Sequence, residues 1–134
     1  MSAKILLIED HEQNRYLVTF LLERHGYSVV SAAEGMRGIE MARSLSPDLI
    51  LLDIQLPGMD GYQVARSIRE LDNLRDTPVV AVTSHAMVGD RERALAAGCD
   101  EYIEKPIDPD TFVAQIEACL ARAGSPPRPP DGAP

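Results

Sequence analysis

Several short apolar runs in this chain end in side chains capable of chemistry. Ile5-Leu6-Leu7-Ile8 leads into Glu9-Asp10, and Leu49-Ile50-Leu51-Leu52 closes on Asp53. Val79-Val80-Ala81-Val82 runs into Thr83-Ser84, and a weaker apolar stretch over 101–104 precedes Lys105-Pro106. If these runs are parallel strands, all of these residues sit on one rim of the sheet, where open α/β folds bind ligands. Clustered carboxylates repel one another and raise each other's pKa unless a cation compensates. Magnesium suits the role, being hard, oxygen-seeking and usually held by one or two carboxylates plus waters and a phosphate. A divalent ion and the Lys105 ammonium together balance the charge of Glu9, Asp10 and Asp53. The chain has no phosphate-cradling glycine loop of the Walker type. The chemistry left is direct attachment of a phosphoryl group to a side chain. Asp53, at the end of a central strand, is the candidate nucleophile. Thr83 and Lys105 would hydrogen-bond the phosphoryl oxygens.

The elements that must position these residues follow from the hydrophobic pattern. The three strongest runs are continuous rather than alternating, as strands covered on both faces require. Weaker strands fit near 28–31 and 101–104. Helix-period segments lie over about 12–25, 35–45, 61–72, 86–97 and 109–122. Five β-then-α units predict a doubly wound, five-stranded parallel sheet. Its flavodoxin-like strand order, 2-1-3-4-5, makes the first and third strands neighbours, which brings Glu9, Asp10 and Asp53 together.

The punctuation agrees with this division. Gly26 and Gly98 stand where a left-handed residue ends a helix. Ser46-Pro47 stops another. Asp60 predicts an N-cap with Gln63 completing a capping box, and Asp108-Pro109 a cap with proline at the first helical position. The fourth helix has two candidate starts, Ser84 and Gly89-Asp90.

A length of 134 residues and a net charge of −8 describe one acidic domain without the clustered positive charge of a nucleic-acid binder. No apolar run reaches the ~20 residues needed to span a bilayer. The N-terminus leads into a strand rather than a signal peptide, so a cytoplasmic protein is expected. Cys99 and Cys119 are read as packed, reduced thiols. From residue 124 the chain holds five of its ten prolines and little that could be buried, which predicts a disordered tail over 124–134 behind a domain over 1–123. Its Pro-x-x-Pro spacing would fit an SH3-type partner, although a plain linker is the simpler reading.

With these residues in place, the chain resembles the receiver domain of two-component response regulators, of the single-domain type, over about residues 3–122. The resemblance rests on Ile-Leu-Leu-Ile-Glu9-Asp10, on Pro47-Asp48 through Asp53-Ile-Gln-Leu-Pro57-Gly58-Met59-Asp60-Gly61, on Val-Val-Ala-Val-Thr83, and on Tyr102-Ile-Glu-Lys105-Pro106. It implies that Asp53 accepts a phosphoryl group from a phosphohistidine on a sensor histidine kinase or histidine phosphotransfer protein. It further implies Mg²⁺ (or Mn²⁺) bound by Asp10, Asp53 and the backbone carbonyl of Gln55, with Glu9 acting through water. Thr83 and Tyr102 would be paired switch residues, and Lys105-Pro106 would carry a cis peptide. Gln55 and His85 occupy positions that tune phosphoryl lifetime in the family. A switch of this kind is not an enzyme beyond its own phosphorylation and dephosphorylation. Its output would be a protein contact through the face of the fourth helix, fifth strand and fifth helix.

Other residues take plainer readings. His11 is expected to be a solvated loop histidine, because magnesium prefers oxygen. His25 reads as a cation at a helix C-terminus. Met36, Met41, Met59 and Met87 are expected to pack. Lys105 is one of two lysines against eleven arginines, and its compact charge suits a phosphoryl contact. The alternatives are a receiver tethered to a hybrid kinase or larger regulator, a phosphatase of the haloacid dehalogenase type, and a flavin-binding protein. The initiating methionine and the tail ending at Pro134 point to the stand-alone form. Gln55 stands where the phosphatase needs an acid, and six aromatic residues without tryptophan are poor material for a flavin site.

Overall fold

The computed structural model describes residues 3–56, 58–83 and 88–124. Five parallel strands, β1 (Lys4–Ile8), β2 (Ser28–Ala32), β3 (Leu49–Asp53), β4 (Val79–Thr83) and β5 (Glu101–Glu104), form one sheet in the order β2-β1-β3-β4-β5. Five helices connect and cover them: α1 (Glu12–Arg24), α2 (Gly35–Leu45), α3 (Gly61–Arg69), α4 (Asp90–Ala96) and α5 (Pro109–Gly124). This is the doubly wound fold that the apolar runs predict.

The run composition explains the layering. Side chains alternate across a strand, so each of the continuous runs in β1, β3 and β4 feeds two cores. Ile5, Leu7, Leu49, Leu51, Val80 and Val82 pack against α1 and α5 through Val18, Leu22, Phe112 and Ile116. Leu6, Ile8, Ile50, Leu52, Val79 and Ala81 pack on the opposite face, against Ile39, Val64, Ile68 and Ala94. The edge strands β2 and β5 need only partial cover, which is why their sequence signal is weaker.

Register sets the rim. Ile8 lies level with Leu52, and Asp53 with Val82. Glu9, one step beyond Ile8, therefore emerges beside Asp53. Thr83 pairs with Glu104, and the Lys105 N–H donates to the Thr83 carbonyl at 2.7 Å, tying the β5–α5 loop to the end of β4.

Several local features differ from the sequence reading. The Asp60 carboxylate caps α3 on the Tyr62 N–H at 2.9 Å, one residue short of the position a capping box uses. α3 ends at Arg69 and a 3₁₀ turn, Asp72–Leu74, follows. The Arg69 guanidinium explains the shortening: it donates to the carbonyls of Leu74, Thr77 and Gly98 and pairs with Asp100, which needs the chain folded back around it. α4 starts at Asp90, behind Gly89 in the left-handed region, so the later of the two candidate starts is the one used. Met36 is exposed at 60 %, because it points away from the sheet while Gly35, Gly38 and Ile39 face it. Met41 and Met59 do pack against the core. α5 runs to Gly124, past the expected end at 122. Cys99 and Cys119 are buried free thiols, and burial pushes Cys99 up to about 12. Pro57, Ser84, His85, Met87 and the tail from 125 lie outside the described residues.

Gly61 is the tightest point near the rim. Its N–H donates to the Ile54 carbonyl at 3.1 Å, and a Cβ there would lie 2.5 Å from the Ile54 Cα. The backbone of β3's successor thus touches the first turn of α3 directly. Gly61→Ala is expected to cost about 1–3 kcal/mol, the range for overpacking at a rigid contact. Urea unfolding should show a lower midpoint at unchanged slope, and an unaltered midpoint would contradict the packing account.

Candidate functional site

The structure gathers Glu9, Asp10, Asp53, Thr83 and Lys105 at the carboxyl ends of β1, β3, β4 and β5. Glu9, Asp53 and Thr83 are each only 3 % exposed, a rare degree of burial for two carboxylates. One cation joins them: Lys105 Nζ lies 2.9 Å from Glu9 Oε1 and 3.3 Å from Asp53 Oδ2. The remaining oxygens are held by backbone, with the Gln55 N–H donating to Asp53 Oδ1 at 2.9 Å and the His11 N–H to Glu9 Oε2 at 3.1 Å. The Lys105–Pro106 peptide bond is cis.

The two buried acids respond differently. Burial pushes Glu9 upward, but Lys105 and the His11 N–H outweigh it and hold the carboxyl below its ordinary value. Asp53 is pushed up to about 6, by burial first and by the charge of Glu9, against the pull of the Gln55 N–H and Lys105. Lys105 loses some basicity to burial and regains more from the two acids, so its pKa is raised. The ammonium is therefore fully charged at neutral pH.

Glu9, Asp10, His11 and Asp53 can each offer a ligand atom, all within 4.8 Å of one another. Asp10 Oδ1 is buried and accepts no hydrogen bond among the described residues. An oxygen-rich set with one unsatisfied buried carboxylate oxygen is what a hard divalent cation takes up. His11 is the solvated loop histidine expected, and it also stands close to the acids. It is 67 % exposed, yet its Nδ1 stands 3.3 Å from both Glu9 Oε2 and Asp10 Oδ1. His25 makes the helix-end contact its position suggests, with Nδ1 2.9 Å from the Leu21 carbonyl.

Tyr102, on the edge strand β5, has its hydroxyl buried with no hydrogen-bond partner among the described residues, and burial raises its pKa. Near it, Tyr62 reaches the Asp90 carbonyl at 3.5 Å, and the Arg93 guanidinium lies 4.5 Å from the Tyr62 ring centroid. α4 is thus clasped to α3 by residues that sequence reasoning passed over. Arg15 was missed as well. Its guanidinium donates to the carbonyls of Glu9 and Asp10 at 2.9 and 3.0 Å.

The raised pKa of Asp53 carries a stability consequence in the metal-free protein. An unfolded aspartate titrates near ~3.9, so the folded state binds this proton more tightly. The charge on Asp53 therefore opposes folding above pH ~6, and its effect vanishes below ~4. In EDTA, Asp53→Asn should melt several degrees above the wild type at pH 8, with the gain shrinking to nothing as the pH falls to ~4. Thermal unfolding across that range checks it, and a variant less stable at pH 8 would contradict it.

Comparison with known proteins gives a consistent answer. Residues 5–117 match the model of the response regulator receiver domain. The polar-differentiation response regulator DivK of Brucella anthropi is 41 % identical over 123 residues, covering 92 % of this chain and all of that one. A receiver domain of a sensor histidine kinase from Pseudomonas aeruginosa, solved with magnesium coordinated in its active-site cleft, is 36 % identical with a TM-score of 0.80, covering 93 % of this chain and 100 % of that one. A CheY-like receiver from Methanospirillum hungatei superposes with a TM-score of 0.87 at 27 % identity, covering 92 % and 98 % of the two chains. With the parallel sheet, its strand order and the acidic rim already in place, the chain belongs to the response regulator receiver domain family of two-component signalling.

Proposed function

We propose that this receiver is a phospho-acceptor switch in which Asp53 takes a phosphoryl group from a phosphohistidine. The donor is a sensor histidine kinase or a histidine phosphotransfer protein. The observation that carries the reading is the setting of Asp53: a carboxylate 3 % exposed at the end of a central strand, 3.3 Å from the Lys105 ammonium and beside two further acids. Burial of that kind is costly and has no value for solubility.

An Asp53 oxygen forms its bond to phosphorus as the bond from phosphorus to the histidine nitrogen breaks, and the imidazole takes a proton as it leaves. Mg²⁺ or Mn²⁺, held by Asp10, Asp53 and the Gln55 carbonyl with Glu9 through water, would supply positive charge against the incoming phosphoryl oxygens. Lys105 gives up part of its contact with Glu9 and Asp53 to a phosphoryl oxygen, and the Thr83 hydroxyl donates to another. Gln55 and His85 would set how long the acyl phosphate survives water. The chain catalyses only its own phosphorylation and dephosphorylation.

Thr83 and Tyr102 act as the paired switch. The Tyr102 hydroxyl, buried without a hydrogen-bond partner among the described residues, supports this role, since a rearrangement at Thr83 that opens a hydrogen bond for it would change the balance between two states. A groove of about 300 Å³ lined by Arg91, Tyr102, Asp108, Thr111 and Gln115 lies on the α4–β5–α5 face, which suits a downstream protein contact. Among the described residues no helix is long and apolar enough to cross a membrane, and we place the protein in the cytoplasm. The receiver extends through the end of α5 at Gly124, with the proline-rich stretch 125–134 as a tail. The histidine-kinase receiver among the structural relatives favours a second reading, in which this domain serves a hybrid kinase or a larger regulator. A haloacid dehalogenase-type phosphatase is disfavoured by Gln55, which carries no proton for turnover.

Incubation with Mg²⁺ and acetyl phosphate should give a base-labile phosphoryl adduct by intact mass, absent from Asp53→Asn. No adduct on folded wild type would sink the reading, and steady phosphate release from many monoesters would favour the phosphatase. Thr83→Ala is expected to keep the adduct but weaken phosphorylation-dependent partner capture; unchanged capture would refute the coupling.

A further inference from the structure

We infer that Arg15 is a positioning residue for the cation site: it holds the backbone of Glu9 and Asp10 so that their carboxylates stay available to a divalent ion. This rests on the reading of Glu9 and Asp10 as cation-holding residues. Arg15 sits in the first turn of α1, where the helix dipole disfavours a cation, so its charge does nothing for the helix itself. Its charge also works against a second cation at the neighbouring acids. What it does make is two short hydrogen bonds from one nitrogen, Nη1, to the carbonyls of Glu9 and Asp10 at 2.9 and 3.0 Å.

Those carbonyls follow the last residue of β1, where the strand ladder has ended and few backbone partners are left. Arg15 supplies the missing donor from a helix whose own N-terminus is anchored by the bond from the Arg15 N–H to the His11 carbonyl, 3.0 Å. The His11 N–H meanwhile takes Glu9 Oε2, and Lys105 takes Oε1. With these groups engaged, Asp10 Oδ1 is buried without a hydrogen bond among the described residues, and the His11 ring lies beside it with Nδ1 at 3.3 Å. Arg15 thereby fixes the chain through main-chain atoms alone and uses none of the acid oxygens.

Charge and positioning predict opposite signs, which makes the inference testable. Removing a nearby cation by charge alone should tighten Mg²⁺ binding, whereas loss of an outer partner that orients ligands weakens metal affinity by ~10–100-fold. Mg²⁺ binding to the full, metal-free chain would be measured by calorimetry for wild type, Arg15→Ala, Arg15→Lys and Asp10→Asn, with melting in EDTA as the measure of fold. Arg15→Ala should bind Mg²⁺ about ten- to a hundredfold more weakly at near wild-type stability in EDTA. The loss should persist at high salt, which screens charge effects. Arg15→Lys, which keeps the charge but ends one atom short of the position Nη1 occupies, should also bind more weakly than wild type, and it decides the matter if the alanine variant fails to fold. Equal or tighter binding in Arg15→Ala, or full affinity in Arg15→Lys, overturns the role of Arg15 while leaving the cation site standing. Wild-type affinity in Asp10→Asn overturns the cation-site reading, and the inference with it.

Discussion

The arrangement turns on one ammonium group. Lys105 lies within 3.3 Å of two carboxylates that are almost wholly buried, and without it the end of the sheet would hold adjacent negative charges in a poorly solvated rim. Burying an isolated carboxylate is costly enough that the group normally takes up a proton instead. Here the positive charge is shared unequally. Glu9 receives the closer contact and remains acidic, while Asp53 is left with a raised pKa. The acid proposed to take the phosphoryl group is thus the one whose negative charge is least compensated in the metal-free state. That asymmetry leaves uncompensated negative charge beside a set of acids that could hold a further cation.

Everything else in the fold serves to hold these groups at fixed separations. Parallel register places Glu9 beside Asp53, the bond from the Lys105 N–H to the Thr83 carbonyl anchors the loop that carries the ammonium, and the contact of Gly61 with Ile54 fixes the chain just past Asp53. At the opposite end of the sheet, Arg69 gathers carbonyls from two connections, α3–β4 and α4–β5, and Asp100 caps the Val79 N–H, so β4 is secured at both ends. Precision at the rim depends on these rigid elements, since a charge displaced by an ångström in a low-dielectric setting changes its interactions sharply.

Much of this was legible in the sequence, for physical reasons that can be named. Continuous apolar runs of four residues are readable because a strand buried on both faces has no place for a polar side chain, and a polar residue at the end of such a run stands out. Asp53, Thr83 and the Glu9-Asp10 pair were visible on that ground. What stayed hidden depends on contacts between distant parts of the chain. Arg15 looks like any helix residue until one asks why a cation sits in a first turn, and that dipole conflict was the signal available. The early end of α3 follows from Arg69 reaching the loop before β5, about thirty residues away in sequence. The choice of Asp90 as the start of α4 and the closeness of the His11 ring to two acids follow from tertiary packing that local propensity does not encode.

The Tyr102 hydroxyl, buried with no hydrogen-bond partner among the described residues, carries a consequence of a different kind. A buried polar group without a partner costs about 1–3 kcal/mol, a sizeable share of the stability of a small domain. Among the described residues nothing offsets that penalty at this atom, and an arrangement that brought it a partner would start with that much in its favour. A phenylalanine in the same place would relieve the penalty and leave the resting state deeper, with less to gain from change.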